Sequence, residues 1–239
     1  MKHILFLGIS LLLLLPVTSD AQFGKIIKKA KGVVTGESDI SESDAGLGLK
    51  QALEFGVKEA VDQLSAEKGY LESPYKILLP EEALQVTSKL KSIPGFENVE
   101  RDLILKMNEA AELSAKKATP IFVDAITTIT FDDALAILGG QDDAATRYLE
   151  NKSKQKLYEA FMPVIQESLD AVNARSLWKS AVTAYNKIPF VSKTNPDLDD
   201  HVNNKALDGM FGLIEKKEGG IRNNVDQRTT DILRKVFGS

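Results

Sequence analysis

The chain has 239 residues, 43% of them hydrophobic, a net charge of −4 and no cysteine. The absence of thiols excludes a disulfide framework, cysteine catalysis and thiolate metal sites, so stability has to come from packing. A mildly acidic balance lacks the basic footprint of a nucleic-acid binder, and no nucleic-acid partner is expected.

Residues Met1 to Ala21 read as a secretory signal peptide. Lys2 supplies a short positive start, "ILFLGISLLLLLPV" the apolar centre, and "SDA" ends on the small residue expected before cleavage. The apolar run is about 14 residues, short of the roughly 20 that a spanning helix needs. Cleavage near Ala21 predicts a soluble protein of the periplasm or cell envelope. It leaves roughly 220 residues, enough for a sizeable core.

Residues 22–42 form a basic amphipathic leader and a polar linker. In "QFGKIIKKAKGVV", Phe23, Ile26 and Ile27 share one helical side and Lys25, Lys28, Lys29 and Lys31 take the other. Those seven residues are the candidate contacts for an anionic membrane surface, a weak one at this charge. The alternative is a leader that packs loosely on the domain or stays mobile.

From residue 43 to 239 the dominant period is helical, predicting a single all-α domain of about eight to ten helices. Leu49, Leu53, Val57, Ala60, Val61 and Leu64 make one stripe, with Ser41 or Ser43 available as its cap and Gly46, Gly48 and Gly56 as points of close helix approach. Gly69, Pro74 and Pro80 bracket "KILL", the one run expected to be extended. Pro80 with Glu81 and Glu82 suits a helix start. A long helix is expected over Glu97–Ala118, burying Val99, Leu103, Met107, Ala110 and Ala111, with Thr119 and Pro120 ending it and capping "PIFVDAITTI". "TFDDALAILGG" has Thr130 and Asp133 spaced as a capping box and Gly139–Gly140 as its stop. Asp142 is the expected cap of the next helix, and Pro163 predicts a kink or break near Phe161. "RSLWKSAVTAYNKI", "NPDLDDHVNNKALDGMFGLI" and "DQRTTDILRKVF" supply the remaining helices.

The chemistry on offer is sparse. Asp197, Asp199, Asp200 and His201 are the weak cation-site candidates. On a wheel from Leu198, however, Val202, Ala206, Met210, Leu213 and Ile214 form the apolar side and His201 falls opposite, beside Lys205 and Asp208. Positions 204 and 205 are Asn and Lys, so the histidine has no ligand partner one turn on. The aspartates sit where a cap and first-turn acids belong. No metal, cofactor or catalytic residue is predicted. A carboxylate pair acting on an envelope polymer stays open as an alternative, because that chemistry needs only two acids across a bond. Phe122, Phe131, Tyr148, Tyr158, Phe161, Trp178, Tyr185 and Phe190 read as core, with an apolar ligand between helices as the other possibility.

The segments "GLKQALEFGVKEAV", "PIFVDAITTITFDDALAILGGQDDAATRYLENK", "LYEAFMPVIQESL" and "DLDDHVNNKALDGMFGLIEKKEGGIRNNVDQRTTDILRKVFG" resemble the bacterial family of exported proteins catalogued as domain of unknown function 4197. The resemblance runs from about Ser43 to Gly238. It implies an all-helical domain behind a signal peptide, an envelope setting and no established activity. It also implies an aromatic residue where this chain has His201, which speaks against a metal role there. "DDAAT" at Asp142–Thr146 and "RTT" at Arg228–Thr230 match without assigning a role. The expectation is therefore a non-enzymatic envelope protein that binds a protein partner or an apolar ligand.

Overall fold

The computed structural model describes residues 42–171, 173–193 and 197–238. The expected export signal and basic leader, together with Ser41, lie outside them. Among the described residues the regular elements are α1 (Glu42–Ser65), α2 (Glu81–Leu90), α3 (Val99–Ala115), α4 (Ala118–Thr127), α5 (Phe131–Leu138), α6 (Ala144–Ala171), α7 (Ala174–Tyr185), α8 (Leu198–Asn223) and α9 (Asp231–Phe237), with a 3-10 turn at Val225–Gln227. The all-α class expected from the helical period is the fold.

Each apolar stripe read from the sequence becomes a buried face. The α1 stripe from Leu49 to Leu64, the α3 stripe from Val99 to Ala111 and the α8 stripe from Val202 to Ile214 are all buried. The centre of the packing is α8, which lies against α6, α1 and α3. It is covered on more sides than the wheel implies, since Leu207 and Phe211 are buried as well. Phe211 meets Phe122 of α4 edge-on, with centroids 5.7 Å apart, the arrangement favoured by the ring quadrupoles. At Gly48 a Cβ would stand 2.4 Å from Cγ2 of Val236, so the absent side chain lets α9 close on α1. Gly46 faces open space and Gly56 an ordinary contact, so neither is needed for close approach.

Several boundaries differ from expectation. The helix expected over Glu97–Ala118 stops at Ala115, and α4 begins at Ala118. Pro120 therefore lies inside the first turn of α4, where its missing N–H has no intrahelical acceptor to lose, and Thr119 is not a cap. Pro163 does not break α6, which runs 28 residues from Ala144 to Ala171. The cost of an interior proline is about 3 kcal/mol. Burial of Leu157, Phe161, Ile165 and Leu169 on either side of it outweighs that loss. The last helix starts at Asp231, not within the preceding "DQRTT". The capping box is as expected, with Thr130 accepting from the Asp133 amide at 3.2 Å and Asp133 accepting from the Thr130 amide at 3.0 Å.

The segment between α1 and α2 is held by side chains reaching out of α3 and α8. Residues 76–80 form no regular element but alternate as an extended chain does, with Ile77 and Leu79 buried and Leu78 exposed. Among the described residues no strand pairs with them. Asn108 of α3 takes that place, its Oδ1 accepting from the Ile77 amide at 2.8 Å and its Nδ2 donating to the Ile77 carbonyl at 2.9 Å. One turn further, Glu112 accepts from the amides of Lys68, Tyr70 and Leu71 at 3.1, 3.2 and 3.4 Å. Burial pushes the Glu112 carboxyl above its ordinary range, and the three amides pull it part of the way back. Tyr70 is fully buried and donates its hydroxyl to the Ala206 carbonyl at 2.7 Å. Gly209 makes room for that ring, since a Cβ there would stand 2.9 Å from Tyr70 Cε1.

Candidate functional site

The acidic cluster at the start of α8 does not converge. Asp197 is the cap, its Oδ1 accepting from the amides of Asp199 and Asp200 at 3.0 and 3.2 Å. Asp199 turns to Arg175 at 3.3 Å and Gln166 at 3.3 Å, while Asp200 accepts from the Tyr158 hydroxyl at 2.5 Å. That bond pushes the Tyr158 phenol up to about 12. His201 is half-buried, with Nε2 2.8 Å from the Leu78 carbonyl. A carbonyl only accepts, so Nε2 carries the hydrogen in that bond. His201 is thus no free surface residue; it ties the extended 76–80 segment to α8. Among the described residues no three His, Cys, Asp or Glu side chains are grouped to hold a metal ion.

Beside this cluster an open groove of about 770 Å³ runs between the end of α6, α7 and the start of α8. Asp170, Arg175, Trp178, Lys179, Thr183 and Asp199 line it. Arg175 bridges the two acids, donating to Asp170 at 2.8 Å and pairing its charge with Asp199 at 3.3 Å. Burial pushes the Asp199 carboxyl up, more than Arg175 and Gln166 pull it down. Because its folded value lies above its unfolded one, Asp199 favours the folded state at low pH and that contribution is lost as the pH rises through the raised value. Denaturant titrations of the wild type and Asp199→Asn between about pH 4 and pH 7 should show the wild-type advantage shrinking as the pH rises. An advantage that grows with pH would contradict the assignment.

Inside the fold, two charged residues of α8 serve as caps for other helices. Glu218 accepts from the Ala145 amide at 2.9 Å, from the Thr146 amide at 2.7 Å and from the Thr146 hydroxyl at 2.7 Å. These donors are at the open N-terminus of α6. The expected cap, Asp142, instead accepts from Asn223 at 3.1 Å. Arg222, paired with Glu218 at 2.9 Å, donates to the carbonyls of Ile137 and Leu138 at 2.8 and 3.3 Å, at the C-terminus of α5. Both side chains are almost fully buried, and the Phe237 ring lies 5.7 Å from the guanidinium. The charges suit the dipoles they meet, a carboxylate at a helix start and a cation at a helix end. The signal that could have found Glu218 is its place on the α8 stripe, four residues after buried Ile214. Arg228 closes α8 in the same manner, donating to the carbonyls of Ile221 and Arg222 at 3.0 and 2.8 Å. Thr230 caps α9 by accepting from the Leu233 amide.

The apolar cavity beside this pair is bounded by Leu53, Ala145, Ile214, Ile221 and Phe237 and offers about 10 Å³. That is the room of one water at most, far below a small-molecule pocket of several hundred Å³. The aromatic residues divide: Phe122, Phe161, Trp178 and Tyr185 are buried, whereas Phe131, Tyr148 and Tyr158 are half-buried. Phe190 departs from the core reading. It is fully exposed in the loop after α7, with φ at 65°, a left-handed conformation that costs a bulky residue about 1–2 kcal/mol.

Fold and groove together define an all-α protein with a polar surface cleft and an interior in which buried Glu218, Arg222 and Arg228 close helix ends. The family model described as "Protein of unknown function (DUF4197)" matches residues 39–238, and the chain belongs to that family. No curated protein and no solved structure matches it.

Proposed function

We propose that this is an exported helical protein of the bacterial envelope that binds a protein partner in the groove between α6, α7 and α8 and catalyses no reaction. The observation that carries this reading is the groove itself, a cleft of about 770 Å³ presenting Lys179 and an ion-paired Asp170–Arg175–Asp199 set, lined also by the buried Trp178. Mixed charge in one cleft suits a partner segment carrying both charges. The apolar cavity beside Glu218 and Arg222, at about 10 Å³, is too small to hold an apolar ligand. Export rests on the sequence signature of Met1–Ala21 and suits a chain without cysteine.

The rival from another class, a carboxylate-dependent hydrolase of an envelope polymer, would draw on Asp170 and Asp199 because both line one cleft. Arg175 donates to Asp170 and lies 3.3 Å from Asp199, and this pairing favours a structural role for both carboxylates over acid–base work. A peripheral membrane role through Phe23 to Lys31 concerns residues outside those described.

Native mass spectrometry of protein purified from its own envelope tests the proposal. Thr183 is exposed on the groove wall. Thr183→Arg should leave thermal stability unchanged and abolish a co-purifying protein that the wild type retains. A partner that survives the substitution would move the binding surface elsewhere, and loss of polymer hydrolysis in Asp199→Asn would favour the hydrolase.

A further inference from the structure

We propose that the loop after α7 is a membrane contact distinct from the leader: Phe190 inserts at the surface of an anionic bilayer while Lys187 and Lys193 meet the headgroups. Phe190 is fully exposed and held at φ 65°, so neither packing nor backbone preference explains the residue where it stands. Pro189 precedes it and shares the exposed tip, and Pro189 has no N–H that burial in lipid would leave unpaired.

Two lysines flank the tip: Lys187 and Lys193 lie three residues to either side of Phe190, both exposed. Neither has an ion-pair partner among the described residues. Asp197, four residues after Lys193, is engaged with the α8 amides. A single aromatic on a tip between lysines fits a bilayer better than a protein. Protein interfaces gather apolar area around an anchor and are depleted in lysine, whereas an anionic surface attracts each lysine.

The test is sedimentation of the full mature chain with vesicles of phosphatidylglycerol and phosphatidylcholine, or of phosphatidylcholine alone, at low salt. Binding to the anionic vesicles should fall about fivefold or more in Phe190→Gly. It should fall about tenfold or more in the double variant Lys187→Glu, Lys193→Glu. Phe190→Gly should also raise Tm by about 2–4 °C, because glycine accepts the left-handed backbone and no packing is lost. Equal pelleting of Phe190→Gly and wild type, equal binding to neutral vesicles, or a lowered Tm would each overturn the proposal. So would a Phe190→Gly chain that keeps its vesicles but loses a bound protein, which would make the tip a protein anchor.

Discussion

Glu218→Ala should destabilise the protein by about 3–5 kcal/mol, the range for breaking a buried ion pair by removing one partner. The substitution strands the Ala145 and Thr146 amides at the start of α6 and leaves the Arg222 guanidinium buried without its carboxylate. Domains of this kind have about 5–15 kcal/mol in all, so the loss is a large share of the total. Chemical denaturation measures it, and a double-mutant cycle separates its parts. With Arg222→Ala added, the combined loss should be well below the sum of the two single losses, because the orphaned cation is gone while the uncapped α6 amides remain. Additive losses would mean that the two residues act independently, against the shared geometry.

Asn108→Leu should cost about 3 kcal/mol, even though leucine has nearly the same shape. Both backbone groups of Ile77 lose their partner in a buried place, at about 1–3 kcal/mol each. The damage should be local first. Hydrogen exchange at the Ile77 amide should lose its protection at denaturant concentrations where α8 amides keep theirs, since beside the burial of Ile77 and Leu79 the other side-chain hydrogen bond to the 76–80 segment among the described residues is that of His201 to Leu78. If Ile77 stays as protected as α8, Asn108 is not the segment's anchor.

What could be read in the sequence was whatever depends on neighbours along the chain. The stripes of α1, α3 and α8 follow from a 3.6-residue period, and the Thr130–Asp133 box from a three-residue spacing, so both were legible. The break at Lys116–Lys117 carries neither glycine nor proline. Pro120 stands four residues beyond Lys116, however, where its ring would clash with that carbonyl in a continuous helix, so the break too has a local cause. Asp142 looked like the cap of α6 for the same reason: it is near in sequence, whereas Glu218, the residue that does the work, is distant. His201 was separated from its aspartates by the wheel, but its partner is a carbonyl of a loop far away. In the candidate groove, Asp197, Asp199 and Trp178 were visible as residues; their assembly with Asp170 and Arg175 required α6, α7 and α8 to meet.

The reach of these caps bears on the order in which the chain can mature. Glu218 closes the first turn of α6 across 72 residues of sequence, and Lys235 pairs with Asp44 across 191. A polypeptide delivered vectorially from its N-terminus leaves α6 open at its start until α8 has emerged, and α1 uncovered until α9 arrives. The early two thirds of the molecule therefore cannot commit to the native state by themselves. Final locking waits for the last helix, and an incomplete chain stays pliable until then.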